Sequence, residues 1–427
     1  MTYEESLEYL ASLNTFGINL GLARIERLLE LMDHPEKNFK AIHVAGTNGK
    51  GSTTAMLAAI LTSSGVKTGM YISPHLIRYT ERIVIDGQEI TPGDFGKILC
   101  HVRIFVEKII AAGLEHPTEF EILTAAAFYY FAACGVEYAV IEVGLGGLLD
   151  STNVLIPEIS VITNVTLDHT DKCGSTVADI ARHKSGIIKK GIPVVTGAGG
   201  QALEIIREVS RQHEAVCHIY GRDFSASSHG VAEGYQKIMV KTGPEEKPIE
   251  LSVNLLGMHQ VANSALAVMA AMILGKKEKR ITFSSIEKGL AKVEWPGRFE
   301  VIPGRPVIVI DGAHNPDGMR ALRENLDEFF GERERVFLLG ILQDKDVKTM
   351  VSTLIRCQDR VVVVAPLSQR AGNPESVARE IKALHVEVAP SIDEGLLRAA
   401  LLAGTEGILC IAGSLYLIGA ARKRICR

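Results

Sequence analysis

At 427 residues the chain is too long for one ordinary core and predicts two domains, or three. Hydrophobic residues make up 47% and charged residues 22%, which excludes a disordered or low-complexity chain. The net charge is -4 and the basic runs are short, so neither nucleic acid nor a membrane is expected as a partner. The cysteines, Cys100, Cys134, Cys173, Cys217, Cys357, Cys410 and Cys426, never form a CxxC pair, which points to reduced thiols and a cytoplasmic location rather than a disulfide framework or zinc site. The opening Met1-Thr2-Tyr3-Glu4-Glu5-Ser6 lacks the basic, apolar character of an export signal. The longest apolar runs, 122–134 and 264–274, fall short of the roughly 20 residues that cross a bilayer and are expected to be buried helices.

Residues 4–32 carry helical spacing, with Leu7, Leu10 and Leu13 and then Leu22, Ile25, Leu28 and Leu29, broken at Thr15-Phe16-Gly17. A short apolar run, 41–44, leads into Ala45-Gly46-Thr47-Asn48-Gly49-Lys50-Gly51-Ser52-Thr53-Thr54 and then a helical pattern. That order predicts strand, glycine loop and helix. Glycines let successive amides face one centre, the helix start adds partial positive charge, and Lys50 adds a full one, which suits phosphate. The strict GxxxxGK[ST] string is absent, because Val44 stands at its first position and Gly51 separates Lys50 from Ser52. Ser52, Thr53 and Thr54 still offer hydroxyls to a magnesium ion. The competing reading is a plain glycine turn capped by Ser52.

Downstream, a second short strand ends at Ser73, and a polar loop at 78–83 precedes a helix from Thr91 to about Ala112. Thr118 and Glu121 have capping-box spacing before the next helix. The apolar run 138–144 reads as a buried strand carrying Glu142 near its end, and 159–165 reads as another, leading to His169. Strand ends in an α/β sheet face ligands, so Ser73, Glu142 and His169 are expected on the edge that holds the glycine loop. A structural ion pair or core pair is the alternative for Glu142 and His169. A helix over 177–188 and a strand over 192–195 continue the alternation, which predicts a doubly wound, mostly parallel α/β sheet.

Residues 215–256 change to short alternating runs and predict a small antiparallel extension, followed by an alanine-rich buried helix from about Gly257. Trp295-Pro296-Gly297-Arg298-Phe299-Glu300 is the candidate boundary, giving domains 1–296 and 297–427. Beyond it, a strand ends at Asp311, a glycine loop carries His314, a helix covers 318–330, and strands follow at 336–340, 360–364 and 407–414, which predicts a smaller Rossmann-like α/β domain. Singly, Asp311 and His314 could equally cap the next helix.

Taken together, HVAGTNGKGS (43–52), SPHLIRYTERI (73–83), TEFEILTAAAF (118–128), EVGLGG (142–147), ITNVTLDHTD (162–171), LLGMHQVAN (255–263), WPGRFE (295–300), DGAHNP (311–316), DKD (344–346) and GSLYL (413–417) resemble the folylpolyglutamate synthase/dihydrofolate synthase family, relatives of the murein peptide ligases. The resemblance implies a P-loop ligase that phosphorylates a carboxylate with ATP and joins the acyl phosphate to the amine of L-glutamate. Its substrates would be dihydropteroate, reduced folate or both, and His75-Leu76-Ile77-Arg78-Tyr79-Thr80 leans toward members that accept both. By the same resemblance Thr47, Asn48, Gly49, Lys50, Gly51, Ser52, Asn263, Arg298, Asp311 and His314 bind ATP. Ser73 and Glu142 bind one Mg2+, His169 helps hold a second, and Lys50, His169 and Lys184 serve catalysis, Lys184 matching a lysine that the family carries as a carbamate. On the residues alone Lys184 reads as a surface lysine. Two positions depart from the pattern: Leu148 stands where Arg is common, and His183 where Glu usually precedes the lysine. A monomer is expected, with the second domain completing the ATP site and binding glutamate. A murein-type ligase and a non-catalytic nucleotide switch stay open as alternatives. The first is disfavoured because the glycine loop starts only about 45 residues into the chain, and the second by the metal and nucleotide residues together.

Overall fold

The computed structural model describes residues 1–13, 17, 19–168 and 170–426, so the expected site residue His169 lies outside the described residues, as do Thr15 and Phe16. The chain packs as two compact units. One comprises Met1–Gly230, Lys237–Val253 and Val261–Val293, the other Val231–Gln236, Asn254–Gln260 and Glu294–Arg427.

In the first unit, α1 (Tyr3–Ser12) and α2 (Ala23–Leu31) precede β1 (Lys40–Ala45), α3 (Lys50–Ser63), β2 (Thr68–Tyr71), β3 (Ile83–Ile85), β4 (Gln88–Glu89), α4 (Pro92–Ala111), α5 (Glu119–Ala133) and β5 (Tyr138–Glu142). The chain continues through β6 (Ile159–Ile162), α6 (Thr170–Cys173), α7 (Val177–Ser185), β7 (Val194–Thr196), α8 (Gly200–Gln212) and β8 (Cys217–Ile219). These strands form an eight-stranded sheet in the order β4-β3-β2-β5-β1-β6-β7-β8. From β2 to β8 neighbours run parallel, while β3 pairs antiparallel with β2 and β4 with β3. β5 and β6 are buried along their whole length, as strands covered on both faces must be, and their apolar runs contain little polar alternation. Leu10, Ile25, Leu28, Phe95, Leu99, Phe128 and Phe131 form the core on one face of the sheet. A methyl on Gly69 of β2 would stand 2.9 Å from the Phe131 ring, which is why that strand carries a glycine there.

The sequence places the turn of α5 correctly: Thr118 Oγ1 accepts from Glu121 N at 3.3 Å and Glu121 Oε2 accepts from Thr118 N at 2.7 Å. Helix α7 stops three residues earlier than its pattern predicts. The Gly186 carbonyl accepts from Asn153 Nδ2 at 3.1 Å, and Leu148 presses against Gly186 closely enough that a Cβ there would lie 2.4 Å from it.

A three-stranded sheet follows, in the order β11-β10-β9, from β9 (Ser225–Ala232), β10 (Tyr235–Lys241) and β11 (Ile249–Val253). Only Glu233 and Gly234 join β9 to β10, both with positive φ (56° and 82°), the two-residue turn of an antiparallel hairpin. Then come α9 (Met258–Gly275) and α10 (Phe283–Lys292). Helix α9 is longer than the apolar run read from sequence; its 18 residues are apolar enough to cross a membrane, but 61% of it is buried within the protein, the pattern of a core helix.

The second α/β sheet uses β12 (Glu300–Ile302), β13 (Val307–Ile310), α11 (Pro316–Phe330), β14 (Arg335–Leu339), α12 (Val347–Leu354), β15 (Arg360–Val363), α13 (Pro374–Glu380), β16 (His385–Val388), α14 (Ile392–Ala403), β17 (Ile408–Ala412) and α15 (Leu415–Ile425). Its order is β12-β13-β17-β14-β15-β16, parallel except for β12. Strands β4, β12 and β16 escaped the sequence reading because they lie at sheet edges with little buried face to impose a pattern, and β3, though buried, has only three residues.

Candidate active site

Four adjoining parallel strands, β2, β5, β1 and β6, end on one edge of the first sheet. The chain leaves β1 toward β2 on one side and later returns to β6 on the other, so the edge contains a switch point of the kind that opens a crevice in α/β sheets. The glycine loop follows β1, Ser73 follows β2, Glu142 ends β5, and the segment 163–168 follows β6.

In the loop, Gly46 and Gly49 have φ of 152° and 82°, conformations that side chains rarely adopt. A Cβ on Gly46 would lie 1.8 Å from Thr163 Oγ1, and one on Gly49 2.4 Å from Asn263 Oδ1. The N-cap of α3 is Gly49 with no side-chain cap, so the reading of a turn capped by Ser52 does not hold. Asn263, on α9, therefore lies against the loop. Lys50 Nζ donates to Gly46 O at 3.1 Å and to Thr47 O at 3.2 Å. Ser52 is buried, and the Thr53 and Thr54 hydroxyls are buried with no hydrogen-bond partner among the described residues.

Glu142 is only 5% exposed, and its Oε2 accepts from Ser73 N at 3.2 Å, so the structure brings these two expected ligands together. The turn after Glu142 is braced by buried Asp150, which accepts from Leu145 N at 2.8 Å and Thr152 N at 3.0 Å; burial pushes the Asp150 carboxyl up from its ordinary pKa. Hard oxygens from one carboxylate and one hydroxyl suit magnesium, which binds few protein ligands and keeps waters. Among the described residues no group of three or more His, Cys, Asp or Glu forms a ready-made metal cage.

Lys184 is not a surface lysine: it is 6% exposed, and its Nζ donates to Gly46 O at 2.7 Å. Burial, with Lys50 second, pushes its pKa down to about 7, so much of the amine is uncharged at neutral pH. The two departing positions adjoin each other, since Leu148 N donates to His183 O at 2.8 Å. His183 Nδ1 is buried without a partner among the described residues, and its pKa is lowered by burial and then by Lys184.

In the second unit, Asp311 is buried, and its carboxylate accepts from Phe299 N and Ala313 N, each at 2.8 Å. Burial raises its pKa, against the neighbouring positive charge of Arg298. Phe299 has φ of 48° and Gly297 73°, so Asp311 holds a turn of unusual backbone next to Arg298. Gly312 admits the Arg298 guanidinium, to which a Cβ would come within 2.3 Å. The ring of His314 bonds through Nδ1 to Gly312 O at 2.8 Å, which fixes Nδ1 as the donor. Helix α11 is capped by Asn315, whose side chain accepts from Gly318 N, so capping does not account for Asp311 or His314.

Sequence reasoning about individual site residues missed Thr163, Asn164 and Thr166. Thr163 Oγ1 donates to Asn48 O at 2.6 Å, Asn164 Oδ1 accepts from Asn48 N at 2.8 Å, and Asn164 O accepts from Thr47 N at 2.9 Å. Thr47 Oγ1 and Thr166 exchange two bonds, at 3.2 and 3.1 Å. The available signal was a polar run directly after an apolar strand, where ligand-facing side chains are expected.

Comparison with known proteins agrees with this geometry. Residues 44–271 match the Mur ligase middle domain and residues 297–415 the Mur ligase, glutamate ligase domain. The chain is 33% identical over 434 aligned residues to the dihydrofolate synthase/folylpolyglutamate synthase of Bacillus subtilis, covering 99% of each. The crystal structure of Mycobacterium tuberculosis folylpolyglutamate synthase complexed with ADP and AMPPCP superposes with a TM-score of 0.91 at 31% identity, covering 100% of this chain and 99% of that one. Escherichia coli FolC in complex with DHPP and ADP gives 0.87 at 26% identity, covering 100% and 98%. With both Mur ligase domains present and relatives matched almost end to end, the chain belongs to the folylpolyglutamate synthase/dihydrofolate synthase family of Mur-type ligases.

Proposed function

We propose that the chain joins the amino group of L-glutamate to a carboxylate of dihydropteroate, of a reduced folate, or of both, with ATP as phosphoryl donor. The observation that carries this reading is the shared edge of β2, β5, β1 and β6, where a phosphate loop, the buried Glu142 carboxylate beside Ser73, and the buried Lys184 amine meet. The nucleotide complexes of the M. tuberculosis relative and the DHPP complex of the E. coli one support the choice of ATP and a pterin.

A carboxylate resists attack by an amine until it carries a leaving group. In the proposed reaction a substrate carboxylate oxygen bonds to the γ-phosphorus as the bond to ADP breaks. The glutamate amine then bonds to the acyl carbon, the carbon–oxygen bond to phosphate breaks, and the amine releases its proton. Lys50 and the amides at the start of α3 hold the transferring phosphate, whose charge they offset. Asn263, Arg298, Asp311 and His314 contact the nucleotide. Ser73 and Glu142 hold one magnesium, with His169 contributing to a second; when bound, the metal offsets the repulsion between phosphate and carboxylate. Lys184, neutral enough to capture carbon dioxide, is carried as a carbamate and so becomes an anion beside the loop. In this reading residues 1–296 hold the phosphates and pterin, residues 297–427 serve glutamate and nucleotide binding, and the chain acts as a cytoplasmic monomer.

The test is ADP release with ATP and magnesium, offering glutamate together with dihydropteroate, tetrahydrofolate or a murein precursor. Turnover should require both glutamate and a pterin. Turnover without either, or none with any pterin, would sink the proposal.

A further inference from the structure

A phosphate loop binds through amides that are still unspent, and two in this loop are already committed. Thr47 N donates to Asn164 O at 2.9 Å, and Asn48 N to Asn164 Oδ1 at 2.8 Å. Thr163 Oγ1 holds the other side of the same peptide pair through Asn48 O at 2.6 Å. Thr166 closes the arrangement, its N donating to Thr47 Oγ1 at 3.1 Å while its carbonyl accepts from that hydroxyl at 3.2 Å. Five hydrogen bonds therefore fasten two loop residues to the end of the neighbouring strand β6. Thr163 is itself 3% exposed, and Gly46 packs so tightly on its hydroxyl that no side chain fits between them.

We propose that Thr163, Asn164 and Thr166 are positioning residues that clamp the phosphate loop from β6, and that the clamp takes Thr47 N and Asn48 N out of phosphate binding. Phosphate then depends on the amides that follow, those of Gly49, Lys50 and Gly51 at the start of α3. This accounts for the loop's departure from the generic string. The extra glycine, Gly51, sits within the amides left for the ligand, while Thr47 and Asn48 act as the strut that aims them. The inference rests on the nucleotide-binding reading above.

Thr163→Val keeps the shape and deletes the hydroxyl, Thr163→Ser restores the hydroxyl, and Asn164→Ala removes the acceptor for Asn48 N. Affinity for a non-hydrolysable ATP analogue with magnesium would be measured by calorimetry, and KM for ATP and kcat by ADP release, in the full chain. One lost buried hydrogen bond that tunes a binding loop predicts about tenfold weaker nucleotide binding and a similar rise in KM for Thr163→Val and Asn164→Ala. At saturating ATP their kcat should fall by less than about threefold, and Thr163→Ser should bind within about twofold of the parent. Residues that merely support the fold would lower the melting temperature and leave KM in place. Should Thr163→Val not fold, Asn164→Ala, at a partly exposed position, carries the test. Nucleotide affinity within twofold of the parent in the folded variants, or a Ser variant as weak as the Val variant, would overturn the clamp. A parent protein that binds no analogue would overturn the nucleotide reading first, and the clamp with it.

Discussion

Lys184 offers a quantitative test, because only an uncharged amine adds to carbon dioxide. With a pKa lowered to about 7, roughly three quarters of the Lys184 amine is neutral at pH 7.5, against about 0.1% for an ordinary lysine near 10.5. The buried position thus raises the reactive fraction by several hundredfold, and the neighbouring charge of Lys50, which also lowers the pKa, would in turn stabilise the anion that forms. Protein equilibrated with 13C-bicarbonate should give a carbamate carbon signal that is absent from Lys184→Arg, whose guanidinium cannot be converted. Activity of degassed enzyme should recover with added bicarbonate, and the amount needed should rise as the pH drops through 7. Lys184→Ala should lose most activity and regain part of it with added acetate or propionate. An absent signal together with near-normal activity in Lys184→Arg would show that Lys184 is not carried as a carbamate.

Three further outcomes follow from the geometry. Glu142→Gln should abolish product while leaving the melting temperature within a few degrees, because the amide keeps an acceptor for Ser73 N but loses the charge for magnesium; activity near that of the parent would contradict the metal assignment. Gly46→Ala should fail to bind nucleotide and lose about 2 kcal/mol or more of stability, since its φ is 152° and the new carbon would overlap Thr163 Oγ1; denaturant titration and calorimetry read both effects. His43 is buried, bonded through Nε2 to Thr152 Oγ1 at 2.8 Å, and burial pushes its pKa down to about 3. The unfolded chain therefore binds the extra proton below about pH 6.5 while the folded chain refuses it until about 3. Stability falls through that window, by about 2 kcal/mol between pH 7.5 and 5.0 from this residue alone. Denaturation of His43→Gln at the two pH values should lose that much less; an unchanged difference would show that His43 is not the source.

The sheet edge was legible because it depends on long apolar strands and on residue types with few alternative uses. Val140, Ile141 and Glu142 announce a buried strand that carries a charge, and Gly46, Gly49 and Lys50 announce a phosphate loop; the parallel register then brings Glu142 beside Ser73. The environment of Lys184 was not legible. Nothing in its helical pattern separates a lysine facing solvent from one that crosses to Gly46 O, because that depends on where the fold brings the loop after β1. Thr163, Asn164 and Thr166 were hidden for a related reason: polar residues after a strand are common, and only the position of β6 beside β1 turns them toward Thr47 and Asn48. The second sheet was legible at its buried strands and silent at β12 and β16, which are partly exposed.

Activation of the substrate carboxylate by phosphorylation leaves an isotopic trace. A pterin substrate labelled with 18O in its carboxylate, turned over once with ATP, magnesium and glutamate, should transfer one 18O atom to the released inorganic phosphate. Phosphate that carries no label, alongside amide product, would show that no acyl phosphate forms.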